Sequence, residues 1–214
     1  MAAGEGRRLR PLTESWPKPV LPVDGRPVIA TLMRQLTDAG FAPVTVVTGH
    51  LAEQVERLLA GLDVSFVRQP EPLGSVDAVR RALEQDAHLP AIVSGADTVF
   101  QPGALAHFGA AFESSGAAGA IAYRSQLGVK NGLVSRVLDP ESPYSAAPLW
   151  GLSDEIALEG LPGPPFELSA AFQRAIDAGK RVAAIEIGPT RDLTQPADLV
   201  RENFPYLESY ERDV

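Results

Sequence analysis

From residue 27 onward the hydrophobic positions alternate between two periods. In "PVIATLMRQLTDAG" the residues Val28, Ile29, Leu32, Met33 and Leu36 recur at helical spacing, and the run stops at Gly40, which predicts a helix with a glycine stop. "VTVVTG" follows as a short, continuous β-branched run and predicts a buried strand. The same alternation continues through "LAEQVERLLAG" (helix), "DVSFV" (strand), "SVDAVRRALEQ" (helix) and "AIVSG", a strand that runs out at Ala96 and Asp97. A helix from about Gly103 to Glu113 and the strand "AGAIAYR" extend the series. The rhythm then changes to short extended pieces, "GLVSRVLD" and "APLWGL", which read as an excursion from the main sheet. A helix from Glu167 to Ala178, the strand "RVAAIEI" and a helix from Pro196 to Asn203 close the pattern, and residues 203–214 form a tail. Strands alternating with crossover helices predict an α/β fold, a Rossmann-like, mixed but mainly parallel sheet flanked by helices, as one domain over residues 1–214.

Composition narrows the function classes. A chain of 214 residues with 45% hydrophobic residues can bury one sizeable core. Its formal net charge of -8 argues against a general nucleic-acid or acidic-membrane surface, so any anion site must be local. With no cysteine there is neither a disulfide frame nor a thiolate metal site, and no apolar run reaches membrane-span length. These features predict a soluble, cytoplasmic protein. His50, His88 and His107 lack metal-ligand spacing and are assigned structural or solvent-facing places.

In open α/β sheets ligands sit beyond the carboxyl ends of the strands, which directs attention to the loops. In "AAGEGRRLRPLT" small residues let backbone N–H groups approach an anion, and Arg8 and Arg10 can neutralise it. No Gly-Lys-Ser/Thr follows, so this is not a Walker loop, and the third glycine of the dinucleotide fingerprint is missing. In "WPKPVLPVDGRP" Pro17 and Pro19 bracket Lys18, which predicts an extended backbone that fixes the lysine as a placed point charge.

Together, "AAGEGRRLRPLT" and "PKPVLPVDGRPVI" closely resemble the N-terminal signature of the sugar-1-phosphate nucleotidylyltransferases, or NDP-sugar pyrophosphorylases. The resemblance implies the nucleotide-diphospho-sugar transferase type of fold. In that family the signature follows directly on a first hydrophobic strand; here Met1 stands at its last position, so the resemblance implies a sheet without that strand and with two neighbouring edges exposed.

The resemblance also implies roles. Ala2, Ala3, Gly4 and Gly6 would cradle the nucleotide, with Arg8 on the leaving phosphates and Lys18 near the α-phosphate. "VRQPEPLGSVDAV" is similar to the family's base-reading loop, placing Gln69, Gly74 and Ser75 against a uracil or thymine edge, which an amide can meet as donor and acceptor at once. Read without the family, Ser75 is a helix N-cap. Asp97 in "SGADTVF" and Asp192 in "GPTRDLTQPADL" match the family's two Mg2+-binding aspartates.

The implied reaction is attack of a sugar 1-phosphate oxygen on the α-phosphorus of a nucleoside triphosphate, UTP or dTTP by the base loop, releasing pyrophosphate. The nucleophile is already anionic, so positive charge, rather than a general base, is what the site must supply. Around the acceptor the sequence departs from the family: Asp139-Pro140 lacks the lysine that precedes the proline, and Ala146-Ala147 supplies no side-chain amide. Gly128 is the matched acceptor residue, Glu167 is a second acceptor candidate or a helix N-terminal charge favoured by the dipole, and Lys130 is a substitute phosphate ligand or an exposed hairpin lysine. The alternatives are a catalytically weak regulatory or sugar-nucleotide-sensing homologue, and a cytidylyltransferase acting on a small phosphorylated alcohol.

Overall fold

The computed structural model describes residues 1–85, 87–124, 132–134, 137 and 145–204. After an extended start, the chain makes a 3-10 turn at Arg7–Leu9, a short helix α1 (Leu12–Ser15), a second 3-10 turn at Lys18–Val20 and a small hairpin of β1 (Pro22–Val23) and β2 (Arg26–Pro27). The alternating pattern then appears where the periodicity places it: α2 (Val28–Asp38), β3 (Val44–Thr48), α3 (Ala52–Leu58), β4 (Val64–Arg68), α4 (Ser75–Gln85) and β5 (Ala91–Ser94). It continues through β6 (Thr98–Val99), α5 (Ala104–Ser115), β7 (Gly119–Arg124), β8 (Ser145–Leu152), α6 (Leu168–Asp177), β9 (Val182–Glu186), β10 (Arg191–Asp192) and α7 (Pro196–Asn203).

β3 pairs in parallel with β4, and a four-stranded sheet runs in the order β5-β8-β7-β9. Only β8 is reversed, antiparallel to both β5 and β7, while β7 and β9 are parallel. That reversed strand is the return of the predicted excursion. Of its outward leg, residues 132–134 lie along β9, with Leu133 bridging Ala183 and Val134 N donating to Val182 O at 3.0 Å.

β3 and β5 do not pair with each other; Met1 and Ala2 lie between their carboxyl ends. Ala2 N donates to Val47 O at 2.7 Å, Ala96 N donates to Met1 O at 2.9 Å, and the Met1 α-amino group donates to Ser94 O at 2.7 Å. Behind this bridge an apolar cleft of about 1090 Å3 separates the two edges, walled by Val44 and Val46 on one side and Ile92 and Val93 on the other. Burial lowers the α-amino pKa from its ordinary 8.0 to about 6, against the opposing pull of the Asp97 charge.

The core has two layers because side chains alternate across each strand. Ala120 and Ala122 of β7 pack with Ile29, Met33 and Phe108 on one face, while Ile121 packs with Val76, Leu168 and Phe172 on the other. Phe108 and Phe172 are fully buried, and truncating either to Ala would cost about 3–5 kcal/mol. At the end of the chain a capping box between Gln195 and Asp198 starts α7. The Arg191 guanidinium meets Asp24 through both terminal nitrogens and Glu202 through Nε, which ties β10 and α7 to the small hairpin.

Candidate active site

The glycine loop rises from the bridge between β3 and β5. Ala2 and Ala3 are buried, and Ala3 O accepts from His50 N at 3.2 Å, which fixes the loop to the end of β3. Gly4 is exposed, with open space where a side chain would project. Gly6 turns the chain with φ 62, and a β-carbon there would meet the Thr13 methyl at 2.8 Å, so both backbone angle and space call for glycine. Its carbonyl accepts from Leu9 N at 2.8 Å and Thr13 Oγ1 at 2.9 Å, which locks the turn. His50 is structural, its Nε2 lying 2.6 Å from Thr13 O.

The arginines divide by partner. Glu5 binds Arg7 at 2.7 Å and Arg10 at 3.5 Å, and the Arg7 guanidinium lowers the Glu5 pKa. Arg8 has no carboxylate partner among the described residues, and it lines a pocket of about 310 Å3 with Gly4, Gly6, Lys18, Asp97 and Thr194. Of the three neighbouring arginines, Arg8 is the one without a carboxylate partner among the described residues.

Lys18 departs from the extended backbone expected of it. Pro17 is extended, but Lys18–Val20 is a 3-10 turn, with Val20 N donating to Pro17 O at 2.9 Å and Leu21 N to Lys18 O at 3.1 Å. Both prolines fit this turn because each stands where no N–H is required of it. The rigidity is kept and the ammonium is aimed inward: Lys18 Nζ donates to Asp97 Oδ2, and the two side chains are only 16% and 28% exposed. Asp97 follows β5 after Gly95 and Ala96 and holds this place at the carboxyl edge of the sheet.

Asp192 reaches the same edge on β10, paired antiparallel with β6 so that Asp192 stands opposite Thr98, the residue after Asp97. Asp192 does not line the glycine-loop pocket. Its Oδ1 accepts from Thr98 Oγ1 at 2.7 Å, its Oδ2 accepts from Thr190 Oγ1 at 2.9 Å, and Arg124 Nη1 forms an ion pair with Oδ2 at 2.6 Å. The sequence reading missed Arg124; a charged residue ending the buried run "AGAIAYR" was the available signal. Among the described residues no group of three or more His, Cys, Asp or Glu is assembled to hold a metal ion. Two aspartates with oxygen donors alone can do so only with ligands from a substrate and water, the habit of Mg2+.

The candidate base loop is tied inward. Gln69 is 5% exposed, and its Nε2 donates to Gly74 O at 2.9 Å and Asp77 Oδ2 at 2.8 Å. Its donor side is thus spent inside the loop. Gly74 has φ +104, and a β-carbon would lie 2.5 Å from Phe166 O, so the loop can lie against the start of α6 only as glycine. Ser75 is the first residue of α4, yet its Oγ accepts from Leu168 N at 2.8 Å and donates to Glu167 Oε2 at 2.6 Å. It caps the neighbouring helix α6, whose own N-cap residue, Glu167, makes no side-chain cap bond. The candidate base loop and the acceptor candidate Glu167 are joined through one hydroxyl. Gly128, Lys130 and Asp139-Pro140 lie outside the described residues.

Against known families, the chain matches the model of the MobA-like NTP transferase domain over residues 1–204. The chain belongs to this family. It is 39% identical to the CMP-5'-(3-aminopropyl)phosphonate synthase of Streptomyces rubellomurinus over 127 residues, 55% of this chain and 20% of that protein. It is 25% identical to the low-salt glycan biosynthesis nucleotidyltransferase Agl11 of Haloferax volcanii, over 97% of this chain and 65% of that one. The chain thus spans from a fifth to just under two thirds of the length of these relatives. Among solved structures, the inositol-1-phosphate CTP transferase from T. maritima superposes with a TM-score of 0.75 at 20% identity, covering 99% of this chain and 93% of that one. This likeness establishes the NTP transferase fold and its flanked, mixed sheet. Among the described residues no helix is long and apolar enough to cross a membrane.

Proposed function

We propose that this NTP transferase domain moves a nucleoside monophosphate from a nucleoside triphosphate to the phosphorus oxyanion of an acceptor, with sugar 1-phosphates as the first acceptor class. The observation that carries this reading is the meeting of Lys18, Asp97 and the unpaired Arg8 in one pocket beside the glycine loop. An acceptor oxygen attacks the α-phosphorus, the bond to the oxygen bridging α and β breaks, and its electrons leave with pyrophosphate. The nucleophile carries no proton to remove, and nothing in the pocket needs to act as a base.

Each residue then has a charge task. Backbone N–H groups around Gly4 and Gly6 and the Arg8 guanidinium hold the β- and γ-phosphates. Lys18 stabilises the charge that builds at the α-phosphate, and Asp97 orients it beforehand. Asp97 and Asp192 would hold Mg2+, and their oxygen-only donor set fits such a cation. Bound there, Mg2+ would screen the negative charge shared between nucleophile and triphosphate.

UTP or dTTP is the proposed donor. With Nε2 committed to Gly74 O and Asp77, Oε1 is the remaining hydrogen-bonding atom of Gln69, an acceptor suited to the imide N–H of uracil or thymine. The amino group of cytosine is the rival donor, and relatives named for CMP and CTP chemistry favour including it. A pyrophosphate-release screen crossing the four common triphosphates and dTTP with sugar 1-phosphates, an inositol phosphate and an aminoalkylphosphonate tests the reading. Release dependent on both substrates and Mg2+, with a pyrimidine triphosphate best, is expected. A purine triphosphate reacting best overturns the base assignment, and no acceptor-dependent release overturns the transfer itself.

A further inference from the structure

Two arginines of this molecule pin neighbouring segments with the whole guanidinium. Arg191 engages Asp24 and Glu202 through Nε, Nη1 and Nη2. Arg68 does the same with Glu53 and Glu56. Arg124 differs. It ends β7, an interior strand, at the edge where open α/β sheets hold ligands, and its Nη1 forms an ion pair with Asp192 Oδ2 at 2.6 Å. Its Nε is buried with no hydrogen-bond partner among the described residues. A buried N–H without a partner is costly, so this placement is held by the Asp192 charge and not by a full set of bonds.

The Nε–Nη2 edge of a guanidinium offers two parallel N–H groups, the fork that matches two oxygens of a phosphoryl or phosphonoyl group. We propose that Arg124 binds the tetrahedral phosphorus oxyanion of the acceptor, and that Asp192 parks it until a divalent cation occupies that carboxylate. The proposal rests on the nucleotidyl-transfer reading and adds to it the residue that receives the acceptor. Arg124 and a dication compete for Asp192 Oδ2, so occupation by the cation releases a guanidinium beside the incoming dianion. Coupling of this kind is reciprocal: the cation strengthens acceptor binding, and the acceptor strengthens cation binding.

The test uses wild type, Arg124→Gln and Arg124→Lys, each checked by circular dichroism for native secondary structure. Mn2+ affinity is measured by electron paramagnetic resonance without substrates, and KM for acceptor and triphosphate is measured with Mg2+. Arg124→Gln should bind Mn2+ several-fold more tightly than wild type, because the resident competitor is gone. It should raise acceptor KM by roughly 10- to 100-fold, the worth of a charged fork, and triphosphate KM by less than about threefold. Arg124→Lys should return Mn2+ affinity toward wild type while acceptor KM stays high, since it restores the charge without the fork. If wild type turns over but Arg124→Gln leaves Mn2+ affinity unchanged and shifts both KM values equally, Arg124 is a structural pin and the transfer reading stands. If wild type neither turns over nor binds Mn2+, both fail.

Discussion

Lys18 and Asp97 lie 79 residues apart in the chain and form an ion pair in the fold, the ammonium on Oδ2 at the wall of the glycine-loop pocket. The lysine is set by a 3-10 turn between two prolines and the aspartate by the end of β5, so neither depends on a long loop for its position. In the proposed reaction each has a stronger partner waiting, the α-phosphate for Lys18 and the metal for Asp97.

Asp97→Asn keeps the volume and removes the charge. Turnover should fall by roughly 10²- to 10³-fold or more, since one preorganised charge at the reacting centre is lost. The circular dichroism spectrum should not change. Mg2+-dependent activity within a few fold of wild type would remove Asp97 from the site.

Lys18→Ala acts on the other half of the pair. At saturating substrates the rate should fall by roughly 10²- to 10³-fold while triphosphate affinity changes much less, because the charge it meets grows in the transition state. Equal turnover in variant and parent would make Lys18 a surface-loop residue, and a change in ligand binding alone, with a parent that does not turn over, would favour a regulatory role.

The buried α-amino group of Met1 gives stability a pH dependence. Its pKa is about 6 in the fold and 8.0 ordinarily, so between these values the unfolded chain binds more protons. Stability from this group is therefore complete above pH 8, declines as pH falls and is lost below about pH 6, a span worth on the order of 2 to 3 kcal/mol. Urea midpoints should fall across this window, and N-terminal acetylation should flatten that part of the slope. An apolar extension of about five residues before Met1, continuing its pairing into the cleft between β3 and β5, should flatten it likewise and raise the melting temperature. Equal slopes in free and acetylated proteins would show the amine to be hydrated.

Ser75→Ala removes a cap from one helix and a partner from Glu167. A cost of about 1 kcal/mol, or about 2–4 °C in melting temperature for a chain of this size, is expected. In a double-mutant cycle the combined loss with Glu167→Ala should be smaller than the sum of the two. Additive losses would mean that the 2.6 Å hydrogen bond contributes no coupling.

The helices and strands were legible because each carries its own period: Val28, Ile29, Leu32 and Met33 are buried as the spacing required. Asp97 was legible as a residue after a strand. Other features depend on contacts between distant segments, which no local pattern encodes. That Glu5 takes Arg7 and Arg10 and leaves Arg8 follows from the turn at Gly6. That Ser75 caps α6 instead of its own helix follows from α4 and α6 packing side by side. The extended backbone expected at Lys18 gave way to a 3-10 turn because proline restricts φ without excluding that conformation. The partner of Asp192 came from β7, an element whose end carried no recognised motif.

Phosphorus NMR of the protein with Mg2+, a pyrimidine triphosphate and a phosphorylated acceptor tests the central claim most directly. The account predicts that pyrophosphate and a diphosphate-linked nucleotide product appear in equal amounts, and that neither appears with Lys18→Ala on the same time scale. Triphosphate that stays intact, or that yields pyrophosphate with free nucleoside monophosphate and no linked product, would contradict it.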